Sequence, residues 1–322
     1  MNNIQNYTNL IPKLIFLCGL PASGKSTWIE KHKEELNFTI HSSDNIRAEL
    51  LGDVNEQSQN ELVFKTLHSR VREDLLNGKN VIMDQTGLNR KKRMAFLNQI
   101  QDIPCEKICV LFATPYGICL NNNENRDRKV PEEVIDRMVK NFEVPAYAED
   151  WDDIQIVWWD WKKDGIEFNF NEDVELWRSI SHDSKHHSLS IGDHMIKAWK
   201  YMCKNTDDLN LQIAAFLHDC GKIITKAFIN SKGELSESAH YYEHHNASSY
   251  ISLFYLKDMF DDKWMQFKDY EILFISLLIN MHMRPFLAWK DSKKSEDRDR
   301  RLFGDDIVDA VLEIHEADLA AH

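Results

Sequence analysis

KLIFLCGLPASGKSTWIEKHKEEL, residues 13–36, decides the first half of the chain. The apolar run LIFLC leads into Gly19-Leu20-Pro21-Ala22-Ser23-Gly24-Lys25-Ser26, and the helix-like TWIEKHKEEL follows it. Strand, loop and helix in that order are what the pattern G-x-x-x-x-G-K-[ST] requires of a phosphate-binding loop. The glycines let successive backbone N–H groups turn toward phosphate oxygens. The helix N-terminus adds partial positive charge at the same point. Lys25 would reach the β/γ-phosphates and the Ser26 hydroxyl would hold Mg²⁺. Gly19, Ser23, Gly24, Lys25, Ser26 and Thr27 are therefore the candidate nucleotide-binding residues, and ATP with Mg²⁺ is the expected cofactor.

The chain around this loop has 322 residues, a two-domain length by prior. With 43% hydrophobic and 28% charged residues it has the composition of a globular protein. No apolar run approaches the roughly 20 residues that span a bilayer, so no membrane partner is expected. The start, MNNIQNYTNL, lacks a basic and apolar signal pattern. The six scattered cysteines form no C-x-x-C and read as reduced thiols. Together these predict a cytoplasmic protein. A net charge of −13 excludes a protein that coats nucleic acid electrostatically. An enzyme gripping only a strand end stays open, because bound metals and local basic clusters can supply the field.

Two halves differ in pattern. KLIFLCG, FTIHS, NVIMD and KICVLFAT read as strands separated by helical segments, with residues 154–161 a further candidate. That alternation predicts an α/β domain, a parallel sheet with helices on both faces, over residues 1–165. A charged stretch with a glycine, WKKDGIEFNFNED, marks the boundary. From 174 to 322 nearly everything reads helical, so an all-α domain is expected, with helices over Ser190–Lys204, Leu209–His218, His244–Lys257, Tyr270–Met283 and Asp305–His322.

In the first half, Asp44 and Arg47 sit at i, i+3 on a helix opening after the second strand. A carboxylate there can take the proton from an attacking hydroxyl, and the arginine can hold an acceptor phosphate. Asp84 ends the strand NVIMD. Arg126 and Arg128 lie in NRDRKVPEEV, where arginines can close over transferring phosphates. GLPASGKST, SSDNIR, VIMDQTGLN and RDRKVP, taken together, resemble the kinase domain of the polynucleotide 5′-kinase family over residues 12–150. The resemblance implies Asp44 as general base toward a 5′-hydroxyl and Arg47 on the neighbouring phosphate. It implies Asp84 near the metal and phosphates and Arg126 as the lid residue, with Arg128 the alternative in register.

Eleven of the fourteen histidines lie after residue 180. His218-Asp219 ends the apolar helix QIAAFLHD and makes a plausible metal mouth. His182-Asp183, in the polar SHDSKHH, reads as loop. His194 shares a stripe with Ile191, Met195, Ala198 and Trp199. Asp318 lies on a stripe with Val311 and Ile314, where an unpaired carboxylate is costly. His282 ends an apolar helix and His244 opens another beside His245, the rival at that position. HHSLSIGDH, FLHDCGK, YEHHNASS, NMHMRPF and HEADLAAH resemble the metal-dependent HD phosphohydrolase superfamily in its form with two extra histidines, over residues 178–322. The resemblance implies one metal on His194, His218, Asp219 and Asp318. Asp219 would bridge to a second metal on His244 and His282. Mn²⁺, Ni²⁺, Co²⁺ or Fe suits such mixed ligands. His187, Lys222 and Arg284 are the candidate phosphate contacts.

The two resemblances together are to HD-type polynucleotide kinase/phosphatases, enzymes of RNA end healing. That family implies ATP-dependent phosphorylation of 5′-OH ends and metal-dependent removal of 2′,3′-cyclic, 2′- or 3′-phosphates. The implied partners are single-stranded RNA or DNA ends and nicked or cleaved RNA, in a bacterial or phage setting. Two other readings remain: a nucleoside or nucleotide kinase joined to an HD nucleotidase, and a non-catalytic ATP-binding sensor.

Overall fold

Alternation along the first apolar run builds the sheet. Leu14, Phe16 and Cys18 face one side, while Ile15 and Leu17 face the other, all buried. A strand buried on both faces needs helices on both faces. The computed structural model describes residues 11–160, 170–184, 188–258 and 266–322. In it β1 (Lys13–Cys18), β2 (Thr39–Ser42), β3 (Val81–Asp84), β4 (Glu106–Ala113) and β5 (Asp153–Trp158) form one parallel sheet, in the order β2-β3-β1-β4-β5. Helix α1 (Lys25–Leu36) covers the face of Ile15, Leu17, Ile82, Val110 and Phe112 through Ile29 and Trp28. Helices α2 (Ser43–Leu51), α3 (Asn60–Leu76), α4 (Arg90–Leu97), α5 (Tyr116–Glu124) and α6 (Glu132–Lys140) complete the α/β half. The chain order reverses on the two sides of β1, so the crevice at its carboxyl end is the expected ligand position.

The loop after β3 is pinned by a buried ion pair. Arg93 donates to both Glu149 oxygens at 2.6 Å and to the Gly87 and Leu88 carbonyls at 3.0 Å. Every donor bond of this kind offsets the large cost of burying charge.

The second half is mostly helical: α7 (Phe170–Ser179), α8 (Ile191–Asn205), α9 (Leu209–Leu217), α10 (Lys222–Thr225), α11 (His244–Asp258), α12 (Asp269–Met281), α13 (Lys293–Phe303) and α14 (Asp305–Ala320). Three details depart from the sequence expectation. A hairpin, β6 (Ala227–Ile229) with β7 (Leu235–His240), interrupts the helices. The charged stretch at 293–303 forms a helix with Asp299 buried. Trp199 is half exposed, whereas its stripe partners Ile191, Met195 and Ala198 are buried. The expected boundary at 165–174 falls partly within 161–169, outside the described residues.

A continuous apolar core joins the halves. Tyr250, fully buried on α11, packs edge-on against Phe142 with ring centroids 4.9 Å apart. Its hydroxyl donates to the Thr114 carbonyl at 2.5 Å, and Thr114 Oγ1 donates to the Ser23 carbonyl of the phosphate loop at 2.9 Å. Gly221 sets the approach of α11 to the end of α9. A Cβ there would stand 2.3 Å from the Ser248 nitrogen, whose own side-chain oxygen accepts from Gly221 N at 2.8 Å. Gly221→Ala should therefore wedge this seam open and destabilise the protein by about 1–3 kcal/mol. Thermal unfolding of the variant against wild type checks it.

Candidate functional site: a phosphate loop and a histidine-aspartate cluster

The loop after β1 curls because Ala22 and Gly24 adopt positive φ of 60° and 94°. Gly24 caps α1 in that left-handed conformation, which glycine reaches without steric cost. Lys25 is buried, and its ammonium donates to the Gly19 carbonyl at 2.9 Å and the Leu20 carbonyl at 2.6 Å. Ser26 and Thr27 are exposed at the helix start. Burial lowers the Lys25 pKa, while Asp84 nearby opposes that shift. Asp84, at the end of β3, is raised by burial, with Lys25 and a hydrogen bond from Ser42 working the other way. These residues surround one crevice, as the strand order requires.

Across it, Asp44 receives Arg47 Nη1 at 3.0 Å on one oxygen and Arg128 Nη1 on the other. Arg47 also donates to Asn60 Oδ1 at 2.8 Å, and its buried Nε has no hydrogen-bond partner among the described residues. Arg128 is further held by Asn55 Oδ1 and the Val54 carbonyl. Arg126 instead donates to Asn123 Oδ1 at 2.8 Å; burial and the neighbouring Arg128 lower its pKa. In this structure it is Arg128, not Arg126, that touches the candidate base.

In the second half five helices bring six side chains to one point. His194 Nε2 lies 3.3 Å from His218 Nε2, 3.3 Å from Asp219 Oδ2 and 3.0 Å from Asp318 Oδ1. On the other Asp219 oxygen, His244 Nε2 stands at 3.2 Å, and 3.2 Å from His282 Nε2. The donors form two groups sharing Asp219: His194, His218, Asp219 and Asp318, then Asp219, His244 and His282. His245 belongs to neither; its Nε2 is 3.5 Å from Glu243.

The tautomers are fixed by the backbone. His218, His244 and His282 each donate Nδ1–H to the carbonyl three residues back, those of Ala215, Tyr241 and Ile279, at 2.9, 2.9 and 2.7 Å. Each Nε2 lone pair is thereby turned into the cluster, as metal-bound histidines require. Both Asp219 oxygens are buried and receive no well-aligned hydrogen bond among the described residues, although three imidazole nitrogens and Lys222 crowd them. Atoms converging on a shared centre rather than on each other are what a cation ligand set looks like. The donor set fits one or two divalent transition metals. Burial opposes ionising Asp219, but His218 and Lys222 outweigh it and hold the carboxyl well below its usual range. Burial also opposes charging His218, yet Asp219 and Asp318 raise it to about 10.

Lys222 Nζ lies 2.6 Å from Asp219 Oδ2 and 3.2 Å from His182 Nε2. Arg284 stands beside His245, but its guanidinium is taken by Asp299 Oδ2, which also accepts from Trp289. His187 lies outside the described residues. The loop reading of His182 misses its place: it is fully buried, donates Nδ1–H to the Leu189 carbonyl at 2.8 Å and faces His194 with ring centroids 5.5 Å apart. His322 also stacks edge-on at 5.3 Å from His194. Neither sits on a periodic stripe, and only the local excess of histidine hints at them.

Residues 14–145 match the family model AAA_33, described as an AAA domain, and residues 191–319 match the HD domain. A parallel five-stranded α/β P-loop domain is thus followed by a mostly helical HD domain. Among curated proteins, the L-seryl-tRNA(Sec) kinase of Methanococcus maripaludis is 31% identical over 144 residues, 43% of this chain and 56% of that protein. Protein kti12 of Schizosaccharomyces pombe is 24% identical over 152 residues, 43% and 54% of the two chains. The chain thus spans about half the length of the curated relatives it matches. Among solved structures, a chain of a Pnkp1/Rnl/Hen1 RNA repair complex aligns with TM-score 0.36 and 23% identity, over 42% of this chain and 45% of that one. A gluconokinase from Sinorhizobium meliloti 1021 aligns with TM-score 0.34 and 16% identity, over 46% and 83%. No helix among the described residues is long and apolar enough to cross a membrane.

A cation that binds only the folded cluster stabilises it by mass action, about 2.7 kcal/mol at a hundredfold excess over its Kd. Adding Mn²⁺ to EDTA-stripped protein should raise the melting temperature by about 4 °C. Asp219→Ala should remove that rise, and scanning calorimetry of both proteins measures it.

Proposed function

We propose that the chain is a bifunctional nucleic-acid end-healing enzyme acting on RNA. The observation that carries this reading is the pairing of two opposite phosphate chemistries on one chain. A phosphate loop faces an Asp44–Arg47–Arg128 acceptor cluster, and a separate six-ligand cluster suits phosphate-ester hydrolysis. Breakage of RNA by many nucleases leaves a 5′-hydroxyl and a 2′,3′-cyclic phosphate, which need these two reactions.

In the first reaction a 5′-oxygen attacks the γ-phosphorus of ATP. The new O–P bond forms as the bond to the β,γ-bridging oxygen breaks, ADP departs, and Asp44 takes the hydroxyl proton. Arg47, nearly buried and aimed at Asp44, is placed for the phosphate beside that hydroxyl. Lys25 and Ser26 serve the nucleotide, with Arg126 or Arg128 on the transferring group. The second reaction takes two hydrolyses: one water opens the 2′,3′-cyclic phosphate to a 2′- or 3′-monoester, and another releases inorganic phosphate and leaves the diol. In each, water supplies the oxygen added to phosphorus and the proton taken by the departing sugar oxygen. Divalent metals on His194, His218, Asp219, Asp318, His244 and His282 would supply Lewis-acid stabilisation of the phosphate ester. Lys222 is the side chain best placed to meet a phosphate oxygen there.

The 31% identical relative named for seryl-tRNA favours a second reading, a kinase for a hydroxyl that is not a strand end. A nucleoside or nucleotide acceptor with an HD nucleotidase is that case. A 5′-OH RNA carrying a 2′,3′-cyclic phosphate, incubated with ATP, Mg²⁺ and Mn²⁺, separates them. The expected products are a 5′-phosphate and a free 2′,3′-diol. Lys25→Ala should lower 5′ labelling by about 10²–10³-fold and leave clearing of the 3′ end intact. Asp219→Ala should do the reverse. Labelling of nucleosides but not of RNA or DNA oligonucleotides would select the second reading.

A further inference from the structure

His244 and His282 each have an asparagine two residues away, Asn246 on α11 and Asn280 on α12. Two helical residues are separated by about 200° around the axis. Each asparagine therefore points away from the cluster that its histidine enters. What it meets there is the α/β half. Asn246 Nδ2 donates to the Lys140 carbonyl at 2.8 Å, and Asn280 Nδ2 donates to the Phe142 carbonyl at 3.3 Å. The two amides also bond each other, Asn280 Nδ2 to Asn246 Oδ1 at 2.8 Å. Arg90 closes the chain by donating Nη2 to Asn280 Oδ1 at 3.0 Å. Arg90 is itself held by Glu143, Glu149 and the Phe303 ring. Asn246 and Asn280 are 7% and 4% exposed; apart from a bond from Asn246 Nδ2 to Glu243 Oε2 at 3.0 Å, the hydrogen bonds of these amides run to one another and to the α/β half.

The other metal group is carried differently. His194, His218 and Asp318 are placed by α8, α9 and α14, which pack on each other. We propose that the Asn246–Asn280 pair, locked by Arg90 and the Lys140 and Phe142 carbonyls, positions His244 and His282 for the second metal. The second site is then complete only when the two halves are docked, whereas the first belongs to the helical half alone. This rests on the two-metal reading of the cluster. Burial of unpaired amides is costly, so the pair has a strong preference for the docked arrangement. The seam bond of Tyr250 to Thr114, one helical turn further along α11, holds the same helix to the strand end beside the phosphate loop.

The test is metal titration of full-length protein, with stoichiometry read by elemental analysis after dialysis against defined Mn²⁺. Wild type should hold two ions per chain. Arg90→Ala, Asn246→Ala and Asn280→Ala should hold one, the second Kd being weaker by about 10–100-fold, the range for lost outer-shell support of a metal ligand. First-site affinity and 5′-kinase activity should stay at wild-type levels, a split that general loosening of the fold would not produce. Trp158→Phe removes a different contact between the halves, the 3.1 Å bond to Asp269, and should keep both ions. Should Asn280→Ala fail to fold, Arg90→Ala, on the opposite half, carries the test. Folded variants that bind two ions with unchanged affinities overturn the inference and leave the two-metal reading standing. A wild type that binds fewer than two overturns that reading first.

Discussion

Asp219 is a carboxylate buried to 1% exposure, with both oxygens facing imidazole nitrogens. Such a group is tolerable only with compensating positive charge, and much of the helical half exists to deliver it. Helices α8, α9, α11, α12 and α14 each bring a ligand to it from a different direction. His218 and His282 follow the last turns of α9 and α12 and donate Nδ1–H to carbonyls of those turns, while His244, opening α11, donates to the Tyr241 carbonyl just before it; each bond aims Nε2 at the cluster. Gly221 follows from the same constraint. Asp219 can sit between the two ligand groups only if α11 comes within van der Waals reach of the turn after it.

The α/β half solves a different problem with backbone rather than side chains. Its loop gathers N–H groups at the start of α1, and the buried Lys25 spans the loop by bonding two of its carbonyls. These bonds keep the ammonium inside the crevice before any phosphate arrives. The opposite side of the crevice is charged and paired: Asp44 sits between Arg47 and Arg128, so two guanidinium groups converge there.

Much of this was legible in the sequence. β1, β3 and β4 read as near-continuous hydrophobic segments because they are buried on both faces, whereas the edge strands β2 and β5 are partly exposed and more mixed in composition. The helix stripes carrying His194 and Asp318 showed their inward faces through Ile191, Met195, Val311 and Ile314. The residues that escaped are those whose placement depends on tertiary contacts. His182 is buried by Leu189 and Lys222, which no periodicity announces. Arg128 is legible as the register alternative to Arg126, but its pairing with Asp44 spans 84 positions and no local pattern announces it. The hairpin at 227–240 has a mostly exposed, polar second strand, LSESAH, which lacks the apolar alternation of a half-buried strand. Asn246 and Asn280 look like ordinary polar interruptions of apolar helices until the α/β half is set against them.

If the two donor groups each hold a metal, Asp219 is the ligand they share. Anomalous diffraction from crystals grown with Mn²⁺ tests it most directly. Two peaks flanking Asp219 are expected, about 3.5–4 Å apart, one among His194, His218 and Asp318 and the other between His244 and His282. No peak at Asp219, or a lone peak bound elsewhere on the chain, would contradict it.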